Sequence, residues 1–171
     1  FAYRGWTPKV AQLATLAGFA ALLVAFVPMD GWVVGCTELD NAGTCVAETK
    51  LYPRIGYWIH AGAAGCLFAV LAFFCFFVFT KVPMNDALQE EVMTPAKRRR
   101  NAIYIASGFV ISIASVSIGV GDLLFGADWN ALQLTFWAEA LILGAFGASW
   151  LTHGRVFAPL QDPRDIEDAL E

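Results

Sequence analysis

The sequence predicts an all-α membrane protein: a four-helix transmembrane bundle with a short disulfide-stapled outer loop. Three observations lead there. Four apolar runs of about twenty residues take up most of the 171-residue chain, and each has the length that crossing a hydrocarbon core of ~30 Å requires. The composition is 58% hydrophobic and 15% charged, with a mean hydropathy of +0.58, which is more apolar side chain than a small soluble domain can bury. The basic residues are also segregated, nine against two, if four helices alternate direction.

The expected spans cover residues 8–27, 58–79, 102–120 and 132–151 of one transmembrane domain. Pro8 suits the first turn of the first span, where its missing N–H is no loss, and Pro28-Met29-Asp30-Gly31 closes that span. This run begins within ten residues of Phe1 and is read as a retained membrane anchor, not a cleaved leader. The second span opens with small residues, IHAGAAGCLF, and ends crowded with phenylalanine, LAFFCFFVF, so its tightest helix packing is expected near its start. Residues 80–101 are read as a polar link carrying the run Lys97-Arg98-Arg99-Arg100. A short turn, GDLLFGADWN, joins the last two spans, and residues 155–171 form an acidic tail.

Arg4, Lys9, Lys81, Lys97 to Arg100, Arg155 and Arg164 fall on one side, and only Lys50 and Arg54 on the other. The positive-inside bias places both termini in the cytoplasm, most simply of a bacterial inner membrane. Lys97, Arg98, Arg99 and Arg100 are thus expected to be a topological anchor in contact with anionic lipid headgroups; nucleic-acid binding by so short a run is not expected. Cys36 and Cys45 lie in the outer loop, residues 30–57, with eight residues between them. An oxidising compartment favours a disulfide there, stapling a loop with little core of its own. Cys66 and Cys75 lie within the second span and read as buried small hydrophobes. Trp32, Tyr52, Tyr57, Trp58 and Trp129 are expected at the outer interface, with Trp6 and Trp150 at the inner one, as anchoring belts.

Polar residues at membrane depth are the candidates for function. Glu139 lies roughly 10 Å into the last span, where a bare carboxylate costs several kcal/mol unless it is paired, protonated or wetted. It is expected to face the bundle, as a hydrogen-bond partner of neighbouring serines or of a partner subunit, or as a proton- or ligand-handling group. Ser112 and Ser115 stand with Gly108 and Gly119 in a small-residue stripe on the third span, a surface for close helix packing. His60 follows Gly56 by one turn near the outer end of the second span. A small residue there lets a flat macrocycle approach, an arrangement similar to that of bacteriochlorophyll-binding light-harvesting polypeptides. His60 and His153 are a membrane thickness apart and cannot ligate one haem as an axial pair. Asp122 is read as lying just past the third helix, and Asp128 as placed to cap the fourth. The sequence has no GxSxG, P-loop, GxGxxG or HExxH signature. No catalytic residue, metal or resident cofactor is therefore expected.

The last span, FWAEALILGAFGASWLTHGR, resembles the closing helix of a broad group of small bacterial multi-pass membrane proteins of unassigned function, through Glu139, Phe146, Gly147, Ser149, Trp150 and Gly154. Those proteins often have lysine before the final glycine, where this chain has His153. Trp32, Cys36, Cys45 and Arg54 are similar in placement to residues of claudin-like four-helix proteins; the likeness is one of topology, and this outer loop is read as too short for their extracellular sheet. The leading functional expectation is an accessory or scaffold subunit that meets larger membrane subunits and lipid. The alternative is a small oligomeric transport or proton-coupled protein using Glu139, built as a homo-oligomer. A third reading is a subunit associated with haem or a chlorophyll-type pigment through His60.

Overall fold

In the computed structural model, which describes residues 7–81, 84–85, 90–91 and 94–160, the four apolar runs are helices, each long and apolar enough to cross a membrane. The chain is an all-α integral membrane protein with a disulfide-stapled loop after its first helix. Its residues divide between Leu67 and Phe68 into two compact units. Arg4, Trp6, Pro83, Arg164 and the acidic stretch 161–171 lie outside the described residues.

In the first unit, α1 spans Pro8–Phe26. Thr7 caps it by accepting from the Val10 N–H at 3.4 Å, and Pro8 fills the first turn. The stretch after it is an antiparallel hairpin, β1 Trp32–Leu39 and β2 Cys45–Leu51, with Trp32 opposite Leu51 and Leu39 opposite Cys45. This corrects the expectation of a loop too short for a sheet. Almost every strand residue is exposed, and a two-stranded hairpin without a core is marginal in water. Local fastenings replace the core. The Cys36–Cys45 disulfide links the strands, and the Asp40 carboxylate accepts from the Ala42 and Thr44 N–H groups at 2.9 and 2.7 Å to shape the turn, with Gly43 at φ +80°.

The base of the hairpin closes onto the start of α2, Pro53–Phe73. Gly31, at φ +82°, passes so near Leu51 and Pro53 that a Cβ would meet the Leu51 carbonyl oxygen at 2.5 Å. A Cβ on Gly56 would likewise meet the Pro28 carbonyl oxygen at 2.8 Å. Both glycines are needed for backbone-to-backbone approach. The second helix therefore begins five residues before the expected boundary at 58, because Pro53 can occupy a first turn.

In the second unit, α2 runs on into a π-helical segment, Phe74–Val78, closed by the Phe79 N–H donating to the Phe74 carbonyl at 2.9 Å. A two-residue antiparallel pair, β3 Met84–Asn85 and β4 Glu90–Glu91, lies in the link that follows. Helix α3 spans Pro95–Phe125, a short α4 spans Ala127–Ala131, α5 spans Leu134–His153, and a 3₁₀ turn covers Ala158–Leu160. Helix α3 starts seven residues before the expected 102 and takes in the whole basic run. Thr94 accepts from the Lys97 N–H at 3.1 Å, and Pro95 follows it, so the start signal is a cap plus a first-turn proline.

Helices α3 and α5 bury Tyr104, Ser107, Ile111 and Ala114 on one side and Ala138, Ile142, Ser149 and Thr152 on the other. The spacings are three or four, or sums of them, which is one face of each helix. Two glycines admit aromatic rings. Phe76 of the π segment sits where a Cβ on Gly108 would be, at 2.7 Å, and the Trp129 indole fills the space over Gly121.

Candidate functional site

Glu139 is the sixth residue of α5, about 7.5 Å along the helix axis. It is half-buried, and among the described residues it makes no hydrogen bond or ion pair. It lies seven residues before Phe146 and fourteen before His153, a spacing that keeps all three on one side of the helix with little drift. The lower two meet Phe79: its ring stacks on His153 at 4.5 Å and on Phe146 at 6.2 Å. Glu139 thus continues a packed side of α5 toward the α3–α5 turn.

The serines expected to answer Glu139 turn back on their own helix. Ser112 donates to the Gly108 carbonyl at 2.8 Å, Ser115 to Ile111 at 2.7 Å and Ser117 to Ala114 at 2.7 Å. A hydroxyl within reach of the carbonyl three or four residues earlier satisfies itself at no cost in helix geometry. Of the small-residue stripe, Gly108 receives Phe76, Ser112 and Ser115 are half-buried, and Gly119 is exposed with open space around it. Ser149 is fully buried beside the Cys75 thiol, and its hydroxyl makes no well-formed hydrogen bond.

His60 is half-buried, with Nδ1 2.8 Å from the Val27 carbonyl oxygen. Because a carbonyl only accepts, Nδ1 carries the proton and Nε2 keeps its lone pair. The face of Gly56, expected to be open to a macrocycle, is taken by the backbone of Pro28 and Gly31. Gly56 therefore serves the approach of the chain after α1. Among the described residues no three His, Cys, Asp or Glu side chains form a metal-holding group. Asp30 pairs with Lys50 at 3.4 Å on the surface, and Asp40 is engaged in the hairpin turn.

The basic run is not a uniform headgroup anchor. Helical geometry turns Lys97 and Arg100 inward, each 8% exposed, while Arg98 and Arg99 face outward. Lys97 Nζ donates to the Phe79 carbonyl at 2.8 Å and lies 5.6 Å over the Tyr104 ring. Asn101 Nδ2 donates to the Thr80 carbonyl at 3.2 Å, and Arg100 to the Leu160 carbonyl at 2.8 Å. The run therefore fastens the end of the π segment and the turn after α5 to the first turns of α3. These carbonyls are the ones a helix end leaves without a partner, and cations there also meet the negative end of the helix dipole. The signal was present in the sequence as the Thr94-Pro95 start, which sets the phase of the four cations.

Two further expectations change. Trp129 is 6% exposed, with its indole N–H donating to the Thr135 hydroxyl at 2.7 Å, so it is a plug between helices and not a lipid-facing anchor. Asp128 lies in the first turn of α4, which Gly126 caps, while Gln133 holds the cap position of α5; Asp122 lies inside α3. Trp32, Tyr52, Tyr57, Trp58 and Trp150 are exposed. No family model, curated protein or solved structure matches this chain.

Proposed function

We propose that this chain is an accessory or scaffold subunit of a larger membrane complex, seated in a bacterial inner membrane with both termini on the cytoplasmic side. The observation that carries this reading is Glu139, half-buried in an apolar helix with no hydrogen-bonding partner among the described residues. A carboxylate at that depth costs on the order of 3 kcal/mol or more until it is protonated or given a donor. A helix of a neighbouring subunit supplies that donor most directly. The outward face of α5 supports the same reading, because Ala140, Gly144 and Ala148 recur every four residues there and are all exposed. Small residues at this spacing let another helix backbone come close.

Proton-coupled transport is the competing use of the same carboxylate. The self-bonded hydroxyls of Ser112, Ser115 and Ser117 weigh against a hydroxyl-lined path through α3. Purification in mild detergent from the native membrane, with mass spectrometry of what stays bound, separates the two. Stoichiometric larger subunits are expected, and Glu139→Gln is expected to weaken their retention while leaving the chain's own melting unchanged. A chain recovered alone or only with copies of itself, and an acid-dependent flux in liposomes lost in Glu139→Gln, would overturn the accessory reading in favour of transport.

A further inference from the structure

Helices α3 and α5 leave a groove between them of about 400 Å³, open along its side. One wall runs from Val110 to Ser117 and the other from Leu134 to Leu141, with Ala114 and Ala138 at the floor and Trp129 also lining it. Each wall covers seven residues of helix, about 10 Å along the axis. Both walls lie within helices apolar enough to span a membrane, so the groove runs along the bilayer normal from the α3–α5 turn toward mid-depth.

We propose that this groove holds one acyl chain of a phospholipid from the leaflet at the α3–α5 turn. Size argues for a single chain. A volume of about 400 Å³ over about 10 Å leaves a mean cross-section of about 40 Å². A helix 10–12 Å across needs about 80 Å² or more, so it can rest on the rim but cannot enter. The lining argues for hydrocarbon. The Ser117 hydroxyl is committed to the Ala114 carbonyl, and the Trp129 indole N–H to the Thr135 hydroxyl. The remainder of the lining is aliphatic or aromatic side chain, including the Trp137 ring. Neither committed group is free to meet the carbonyls of a quinone or a peptide, and burying such a group unpaired is costly. The exposed polar side chains Asp128 and Gln133, at the turn end, stand where a headgroup would lie.

The experiment uses the full chain in vesicles of phosphatidylethanolamine and phosphatidylglycerol doped with a phosphatidylcholine bearing a diazirine midway along one acyl chain. After photolysis, adducts are mapped by peptide mass spectrometry. Adducts on residues 110–117 and 134–141 are expected at roughly tenfold the level on exposed Leu143, Leu151 and Phe19, a preference of about 1.4 kcal/mol. Ser117→Phe, which fills the slot from a half-buried position, is expected to bring groove labelling down to that general level with thermal melting preserved. Labelling spread evenly over the lipid-facing residues of the unsubstituted chain overturns the proposal, and that result does not depend on whether the variant folds. A groove shielded from labelling by a co-purified quinone or peptide overturns it as well.

Discussion

At the scale of single residues, the basic run shows how helical phase sorts identical charges into different work. Lys97 donates to the buried Phe79 carbonyl, whereas Arg98, one position on, faces outward. Lys97→Met keeps the aliphatic stem but leaves that carbonyl without its donor, at an expected cost of about 1–3 kcal/mol. Arg98→Met removes the same formal charge from an exposed site and is expected to change stability by less than about 0.5 kcal/mol. Thermal denaturation of both variants in one detergent checks the difference, and equal melting temperatures would show that the Phe79 contact contributes nothing. The position of Trp129 was not legible in the sequence for a related reason. Tryptophan near a span end normally marks an interface, and only the ring-sized space over Gly121 turns it inward.

At the scale of elements, the four helices were readable because each needs only length and apolar content, and the bilayer supplies the rest. The hairpin was harder to see. Its strands lack the alternation of a half-buried sheet, since both faces are exposed, and its register shifts at three points along the ladder. The cystine was legible from compartment and spacing alone. Its removal tests how much the hairpin relies on it. Closing a loop this short is worth roughly 2–3 kcal/mol in the chain-entropy model. Reduction is therefore expected to speed amide hydrogen exchange across residues 32–51 by about a hundredfold, since each 1.4 kcal/mol is a factor of ten. Helical circular dichroism is expected to stay constant. Unchanged exchange after reduction would mean that the Asp40 turn and the close-packed glycines at the base suffice.

At the scale of the whole molecule, the charge distribution is the feature the sequence expressed best and the one with the widest consequence. Nine basic residues fall on one side of an alternating four-helix path and two on the other. Single cysteines in place of Val46 and of Arg98, in a background lacking Cys66 and Cys75, are expected to react with a membrane-impermeant maleimide from opposite faces of the membrane. Reaction of both from the same face would remove the four-crossing topology. What the sequence could not express was the surroundings of Glu139, because a carboxylate's partner depends on which neighbouring side chains are already engaged. Ser112, Ser115 and Ser117 satisfy themselves within α3, and this is visible only in three dimensions.

The link between α2 and α3 is pinned shut where it begins. The Phe79 and Thr80 carbonyls are held by Lys97 and Asn101, and Met84–Asn85 pairs with Glu90–Glu91 farther out. Chain added between residues 85 and 90 therefore lengthens a loop whose ends are already joined, and each doubling of such a loop costs only about 0.6 kcal/mol. The link behaves like a handle on a closed lid: an epitope or a small reporter domain can hang there without pulling on the spans, and this gives the molecule a site for tethering.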